Sequence, residues 1–308
     1  MLWVLKLFTK MNMTRYYCVR FALIYIALCT LYSVKAVAQE TSELTVADYH
    51  YLPSSEVKTL QVEGKPVPAL LRPWLGKKRL GLTIIVPDFS ARADEAGVAN
   101  YLRLQLNQAG WATLALTPPS VNTPPYFVTK ADDINQAGKQ TNSQAANQET
   151  ADFSPQQLAD NYQQQQHFLQ ASMMQLDSIG KEFSGKRMLI AFGQSANLVI
   201  ELLSKQGLPA PDILIIVNPY SDIDSINSQL AANLAKLTTP VLDLQSKDGS
   251  AASIANQAQR LALAPANAPS RYSQQLLALD LSLKVTWDNT LTLIDGFVRR
   301  INKAYPNG

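Results

Sequence analysis

Apolar residues along this chain fall alternately into continuous runs and into helically spaced sets. The continuous runs lie at residues 80–86, 111–116, 186–192, 212–217 and 240–244. Runs of this length are typical of strands that are buried on both faces of a sheet. Between them, apolar residues recur at intervals of three or four, as at Val98, Leu102 and Leu106. This alternation predicts a parallel sheet that is covered by helices on both faces.

Helices and turns complete the predicted architecture. Further helical spacing lies at residues 158–176, 196–206, 223–237, 251–264 and 290–301, and a last strand is expected within 272–283. Near the N-terminal end, two extended runs within residues 56–74 flank Glu63-Gly64-Lys65, which predicts an antiparallel hairpin. We therefore predict an α/β fold over residues 56–308, with a doubly wound, mostly parallel sheet and an N-terminal hairpin.

The first 38 residues have a pattern of their own. They contain five basic residues and no acidic residue, then an apolar run at residues 21–32, and then Ala36-Val37-Ala38. This order of basic, apolar and small residues predicts a secretory signal peptide. The apolar run is shorter than the roughly 20 residues of a membrane-spanning helix. An uncleaved N-terminal anchor is the alternative interpretation.

Removal of the predicted signal changes the charge balance of the chain. The whole chain has 27 Lys and Arg against 24 Asp and Glu, whereas residues 39–308 have 22 against 24. This balance gives no reason to expect nucleic acid or an anionic membrane surface as a partner. Both cysteines, Cys18 and Cys29, lie within the signal, so the mature chain has no thiol or disulfide. We expect a periplasmic protein without a membrane span after cleavage.

Two segments of the mature chain are unusually polar. Residues 39–55 carry scattered apolar positions and are predicted to form a loosely held lead-in. Residues 120–154 are rich in Gln, Asn, Thr and Ala. A connection of this length inside a domain is either a functional lid or a disordered insertion. Because its central part has little apolar surface to bury, the composition favours a mobile insertion.

Several short motifs give the chain a resemblance to the α/β-hydrolases. They are Ile84-Ile-Val-Pro-Asp88, Gly110-Trp111-Ala-Thr-Leu114, Gly193 to Ala196, Asn218-Pro219 and Pro240-Val-Leu-Asp243. Over roughly residues 55–305, the chain is similar to an uncharacterised family of exported proteobacterial α/β-hydrolase-like proteins. The resemblance implies the fold and the export, and it supplies no agreed substrate.

A candidate nucleophile lies in Gly193-Gln194-Ser195-Ala196-Asn197, where a buried strand gives way to a helix. This stretch is close to the G-x-S-x-G elbow of α/β-hydrolases, although Asn197 replaces the second glycine. Ser195 is therefore either a nucleophile or a cap at the start of the helix. Asp248 follows the strand at 240–244 and is the candidate acid of a triad, although Lys247-Asp248-Gly249 is also an ordinary turn. Asp243, within the strand itself, is expected to bind buried backbone donors.

The two histidines of the chain do not complete a triad. In α/β-hydrolases the histidine follows the acid along the chain, whereas His50 and His167 both precede Ser195. A serine hydroxyl is a poor nucleophile without a base to take its proton. Helical spacing places His167 on the solvated side of its helix, and His50 lies in the polar lead-in. Neither histidine is expected to act as the base.

Other site chemistry is limited to backbone donors. The loop Pro87-Asp88-Phe89-Ser90 lacks the clustered glycines of lipase-type oxyanion loops. The backbone N–H groups of Phe89 and Ala196 are nevertheless candidate donors into a binding pocket. The chain has no phosphate-binding glycine motif and no zinc-ligand spacing, so we expect neither a cofactor nor a metal.

Three functions remain open on this basis. The first is an exported, non-catalytic or weakly catalytic protein that binds a small molecule or an envelope partner around Phe89, Ser195 and Asp248. The second is an esterase-like serine hydrolase in which Ser195 works with a non-standard base, such as Asp248 or His50. The third is an interaction protein whose adhesive element is the segment 120–154.

Overall fold

Eight strands form one sheet in the computed structural model, which describes residues 45–89, 91–120, 153–267 and 271–305. The strands are β1 (Val57–Val62), β2 (Lys65–Arg72), β3 (Gly81–Val86), β4 (Trp111–Leu116), β5 (Lys186–Phe192), β6 (Ile213–Val217), β7 (Val241–Gln245) and β8 (Tyr272–Leu276). Their order across the sheet is β1-β2-β4-β3-β5-β6-β7-β8. β2 pairs antiparallel with β1 and β4, and all other pairs are parallel. The predicted mostly parallel sheet with an N-terminal hairpin is confirmed.

The hairpin turns over two residues between β1 and β2. Glu63 and Gly64 have φ values of 51° and 80°, and Val62 pairs with Lys65. Two consecutive residues with positive φ are what a two-residue hairpin requires, because this backbone twist matches the twist of the strands. The glycine at the second position removes the steric cost there.

Eight α-helices accompany the strands in the described residues. They are α1 (Val98–Gln105), α2 (Pro155–Met174), α3 (Leu176–Gly180), α4 (Gly193–Ser204), α5 (Asp224–Asn227), α6 (Leu230–Ala235), α7 (Ala251–Asn267) and α8 (Lys284–Ala304). None of the helices in these ranges has the length and apolarity needed to cross a bilayer. The predicted signal peptide, residues 1–38, and residues 121–152 of the predicted insertion lie outside the described residues.

Two predicted helices have different limits in the structure. The helix expected over 223–237 is divided into α5 and α6, because its start is rich in side chains that bind backbone groups. Asn227 accepts a hydrogen bond from Ser221 N and donates one to Ala252 O, which ties the end of α5 to the preceding loop and to the start of α7. The closing helix begins at Lys284, six residues earlier than expected. Its first turns mix exposed charged residues, such as the ion pair of Lys284 and Asp288, with the buried polar Thr286, so regular apolar spacing does not reveal them.

The core has two parts, one on each face of the sheet. One part joins the strands to α2, α3, α4 and α6, and the other joins them to α1 and α8. The central strands between them, such as β3 and β6, are fully buried because both faces are covered. This arrangement confirms the layered architecture that the hydrophobic pattern predicts.

The described part of the lead-in, from residue 45 onwards, is fixed on the domain rather than loosely held. It forms a short 3₁₀ helix, Val46–Tyr49, and Tyr49 is 1% exposed within the core. The Arg92 guanidinium lies 4.9 Å from the centre of the Tyr49 ring. One buried aromatic ring thus anchors a segment whose composition is otherwise polar, and the prediction of a loose segment is wrong here.

Candidate functional site

The site predicted from the sequence lies at a sharp turn between β5 and α4, here called the elbow (residues 192–194). The strand ends at Phe192 and the helix begins at Gly193, with no loop between them. Gly193 has a φ of 52°. This left-handed conformation costs other residue types roughly 1–2 kcal/mol, because Cβ approaches the following carbonyl oxygen. The strained position of the elbow is therefore occupied by a residue without a side chain.

The carboxyl group of Asp88 fills the space beside Gly193. A Cβ atom placed on Gly193 would lie well inside 3.0 Å of the Asp88 side chain, a separation that real Cβ atoms essentially never show. Asp88 follows β3, and parallel strands β3 and β5 are neighbours, so the sheet brings the ends of these two strands together. While Asp88 holds this position, glycine is the one residue that fits at position 193.

Asp88 also binds the backbone donors around the elbow. Its Oδ1 atom accepts hydrogen bonds of 2.8 Å from Phe89 N and of 2.8 Å from Gln194 N. Phe89 belongs to the loop after β3, and Gln194 is the residue that follows the strained position. In α/β-hydrolases an oxyanion hole is built from these two places, one N–H group from each. In this chain both N–H groups donate to a side-chain oxygen of the protein itself, Asp88 Oδ1.

The surroundings of Asp88 oppose its ionisation. Burial raises the pKa of this carboxyl group, the N–H groups of Gln194 and Phe89 counteract the rise, and the charge of Asp222 adds to it. Burial also raises the pKa of the Tyr220 hydroxyl, with further contributions from Asp88 and Asp222. The charges of Asp88 and Asp222 therefore both act on the ionisation of Tyr220, and the charge of Asp222 acts on that of Asp88.

Ser195 lies two residues beyond the strained turn, inside α4. It is 0% exposed, and its Oγ atom has no hydrogen-bond partner among the described residues. A cap is not its role, since the residue at the cap position of α4 is Phe192. The hydroxyl of Ser195 is thus bonded neither to a histidine nor to Asp248. The role of Ser195 as a nucleophile stays a prediction.

Asp248 holds the chain segment that follows β8. Its carboxylate accepts hydrogen bonds from Ser246 Oγ at 2.5 Å, from Leu281 N at 3.0 Å and from Ser282 N at 3.3 Å. Partial burial opposes ionisation, but these hydrogen bonds outweigh it and hold the pKa of Asp248 below its ordinary value. The triad histidine of α/β-hydrolases follows the last strand; here a backbone segment fixed by the candidate acid occupies that place.

The two histidines lie on the surface, and neither contacts Ser195 Oγ. His167 is exposed on α2, as its helical position predicts. His50 is exposed beside the 3₁₀ helix, with Nδ1 at 3.0 Å from Ala47 O.

Phe89 and Ala196, the two predicted backbone donors, lie in different surroundings. Phe89 N donates to Asp88 Oδ1 together with Gln194 N, whereas Ala196 is fully buried one turn into α4. Their role in binding stays a prediction. Asp88 was not among the predicted site residues. The one sequence signal for Asp88 is its position, two residues after the buried strand β3, whose neighbour β5 ends in the elbow. Among the described residues, no group of three or more His, Cys, Asp or Glu side chains is arranged to hold a metal ion.

The chain is similar to a known protein family and to several solved structures. A family model described as "Protein of unknown function (DUF3530)" matches residues 29–300. The chain belongs to this family. No curated protein shows significant sequence similarity to this DUF3530 chain.

Solved structures similar to this DUF3530 chain include an esterase domain and a dienelactone hydrolase. The esterase domain of a Rhodothermus marinus protein is 12% identical, with a TM-score of 0.52, covering 79% of this chain and 97% of that one. TT1662 from Thermus thermophilus is 12% identical, with a TM-score of 0.51 and coverages of 78% and 97%. A dienelactone hydrolase from Anabaena variabilis is 11% identical, with a TM-score of 0.50 and coverages of 78% and 94%. At these identities the likeness shows the fold, which is that of an α/β-hydrolase.

Proposed function

We propose that this DUF3530 chain is a periplasmic protein that uses an α/β-hydrolase fold to bind a small molecule or an envelope partner, with little or no hydrolytic activity. The observation that carries the proposal is the pair of hydrogen bonds from Phe89 N and Gln194 N to Asp88 Oδ1, beside an elbow residue, Gly193, that has no side chain. The order of basic, apolar and small residues before position 39 supports export.

The first reason against efficient hydrolysis is the lack of an activated nucleophile. The serine of an α/β-hydrolase sits at the strained position of the elbow, where its hydroxyl is exposed to substrate. Here that position is Gly193, and the nearby hydroxyl of Ser195 is buried, with no acceptor for its proton among the residues that the structure describes. Loss of the nucleophile or its base from a triad leaves only the catalysis that binding and oxyanion donors supply.

The second reason is electrostatic. An oxyanion hole contributes about 3–4 kcal/mol per donor, because its N–H groups face the charge that develops in the transition state. At this elbow the donors already face the Asp88 carboxyl group. A second negative charge about 4 Å from an ionised Asp88 would be repelled by about 4 kcal/mol at an effective dielectric constant of about 20. The repulsion is as large as the stabilisation that one donor supplies.

A binding role fits the same geometry. In open α/β sheets, ligands bind in the crevice at the carboxyl ends of the strands. The residues that follow these ends of β5 and β6 include Gln194 and Tyr220, which are half-buried, and Asp222, which is exposed; these three are here called the rim. Tyr220 N donates to Gly193 O at 3.3 Å. These groups, together with Asp88, favour a ligand that donates hydrogen bonds or carries positive charge, and they repel an anion.

Ester turnover tests the absence of catalysis. The mature protein, Ser195→Ala and Asp248→Ala are assayed with short-chain nitrophenyl esters at equal concentration. We expect all three to match the rate in buffer. The esterase alternative, with Ser195 and a non-standard base, requires turnover in the mature protein that Ser195→Ala abolishes, and this result would overturn the proposal.

Site-specific photo-crosslinking tests the binding role. Tyr220 is replaced by benzoylphenylalanine in the exported chain, and Met174, which is 78% exposed at the end of α2, serves as the matched control position. A partner held at the rim gives an adduct from position 220 and none from position 174. Adducts that are equal at both positions, or absent from both, contradict a binding site at the elbow.

A further inference from the structure

The last strand of the sheet, β8, has an open edge. Val241 N donates to Arg271 O at 2.7 Å, and Leu277 N donates to Gln245 O at 2.8 Å. Backbone direction alternates along a strand, so the even-numbered residues Tyr272, Gln274 and Leu276 turn their N–H and C=O groups away from β7. In the described part of the chain β8 ends the sheet, and no strand pairs with these groups.

This edge lacks the features with which proteins protect an exposed strand. Charged side chains, prolines and bulges are the usual protection against edge-to-edge pairing. β8 reads Tyr-Ser-Gln-Gln-Leu, and Leu276 is 66% exposed. Leu279 in the following segment and Ile254 and Leu261 on α7 are each almost half exposed. The edge is therefore extended, apolar in part, and open.

The edge is also nearly free of exposed charge, although 17% of the whole chain is charged. Between residues 249 and 279 the charged residues are Arg260 and Arg271. Arg260 is 0% exposed and is bound to Asp243. Arg271 is half-buried, donates to Thr238 O at 2.8 Å and stacks on the ring of Tyr305. Like charges do not repel each other when two such edges pair. A charged patch that faced a second copy of itself would be repelled.

Side chains fix β8 in a shape suited to pairing. Tyr272 donates to Asp243 at 2.6 Å, and Gln274 donates to the same carboxylate at 2.9 Å. Because Asp243 lies in β7 and is fully buried, these bonds hold β8 against the sheet. A strand that is already ordered loses little conformational freedom when another strand pairs with it.

We propose that β8 pairs antiparallel with β8 of a second copy of this chain, about a two-fold axis at Gln274. In this register Tyr272 lies opposite the partner's Leu276, and Gln274 lies opposite the partner's Gln274. The outward N–H and C=O groups of all three residues are then bonded in both copies, and the two eight-stranded sheets become one. We favour a second copy over a different partner. A neutral edge has no charge pattern with which to recognise a different surface, whereas a two-fold contact between identical edges needs no such pattern.

Sedimentation of the mature protein tests the association. We expect a dimer at micromolar concentration that dissociates on dilution. Leu276→Lys places a cation on each copy at the pairing edge and is expected to raise the dimer dissociation constant at least tenfold. Leu75→Lys is the matched control, because Leu75 is a similarly exposed leucine (52%) in the connection between β2 and β3. A monomer at all concentrations, or equal effects of both substitutions, overturns the proposal.

Disulfide capture tests the register independently of Leu276. The predicted mature chain has no cysteine, so introduced cysteines report only on their own contact. In the proposed pairing Ser273 faces the partner's Gln275 at a non-hydrogen-bonded position, where the two strands are closest. An oxidised mixture of Ser273→Cys and Gln275→Cys chains should give a cross-linked dimer, and each variant alone should give little. Cross-linking of either variant with itself, or none in the mixture, contradicts this register.

Discussion

The Asp88 carboxyl group stands where a side chain on Gly193 would have to be. The two residues belong to different strand ends that the parallel pairing of β3 and β5 brings together. Each explains the other: the glycine leaves room for the carboxyl group, and the carboxyl group bonds the backbone donors that the elbow exposes. The strand–turn–helix architecture of a hydrolase elbow is present, with Gly193 at its strained position and two backbone donors bonded to Asp88.

Gly193→Ala should destabilise the protein, and the loss should depend on Asp88. The left-handed backbone alone costs roughly 1–2 kcal/mol for alanine, and overlap with Asp88 adds to it. In an Asp88→Gly background the overlap disappears, so the same substitution should cost less. Urea unfolding of the four proteins in a double-mutant cycle measures the difference. Equal costs in both backgrounds would show that the two residues do not compete for the same space.

Asp88→Asn and Asp88→Ala should have different effects on stability. Asparagine retains an oxygen that accepts from Phe89 N and Gln194 N, whereas alanine leaves partly buried donors without a partner, at about 1–3 kcal/mol. The free energy of unfolding at pH 7 should therefore fall clearly for alanine and little for asparagine. Equal losses for the two variants would contradict the donor role of these N–H groups.

The same carboxyl group should make stability depend on pH in a definite direction. Burial raises the pKa of Asp88 above its ordinary value of 3.8, so the folded state keeps the proton to higher pH than the unfolded state. Its contribution to stability is then greatest below pH 3.8 and is lost as the pH rises through the folded pKa. As the pH rises over this range, the unfolding free energy of the wild type should fall relative to that of Asp88→Asn. A difference that is constant between pH 3 and 7 contradicts the raised pKa.

Asp248 should show the opposite pH dependence. Its hydrogen bonds hold its pKa below 3.8, so its contribution to stability is present above that pH and is lost as the pH falls through the folded value. Asp248→Asn should reduce the free energy of unfolding at pH 7 and make little difference in strong acid. Amide hydrogen exchange should be faster at Leu281 or Ser282, because these amides bond different oxygens of the carboxylate and asparagine keeps only one oxygen. Unchanged exchange at these two amides would exclude the fixing role of Asp248.

The buried ion pair between Arg260 and Asp243 should be costly to break. Arg260 Nε lies 2.8 Å from Asp243 Oδ2, and both side chains are 0% exposed. Arg260→Met leaves a buried carboxylate without its cation and should cost about 3–5 kcal/mol. Arg299→Met is the matched control, because its partner Asp295 lies one helical turn away on the exposed face of α8, and such pairs contribute at most about 1 kcal/mol. Similar losses in urea unfolding would contradict the buried network.

Much of the fold was predictable because the signals are local. β4 has the predicted limits, since a run such as 111–116 between a glycine and two prolines is both apolar and sharply bounded. The hairpin follows from Glu63-Gly64, whose composition suits the turn that the structure contains. Asp243 was placed correctly in a buried strand, but the expectation of backbone partners is wrong. It binds the side chains of Arg260, Tyr272 and Gln274, which come from α7 and β8.

The site was less predictable because it depends on backbone angles and distant contacts. The G-x-S pattern indicates an elbow, but it does not say which residue takes the positive φ, and Gly193 takes it two positions before Ser195. Asp88 and Gln194 meet only after β3 and β5 have paired. No pattern within a single segment contains that contact.

A fluorophosphonate probe followed by intact-mass measurement tests the central claim most directly, because it reports an activated serine without requiring the right substrate. The mature protein and Ser195→Ala are treated in parallel, and an active serine esterase serves as the positive control. If the elbow has no reactive side chain, the masses of the mature protein and of Ser195→Ala should both be unchanged, while the esterase should be fully labelled. A single adduct on the mature protein that is absent from Ser195→Ala would contradict this account.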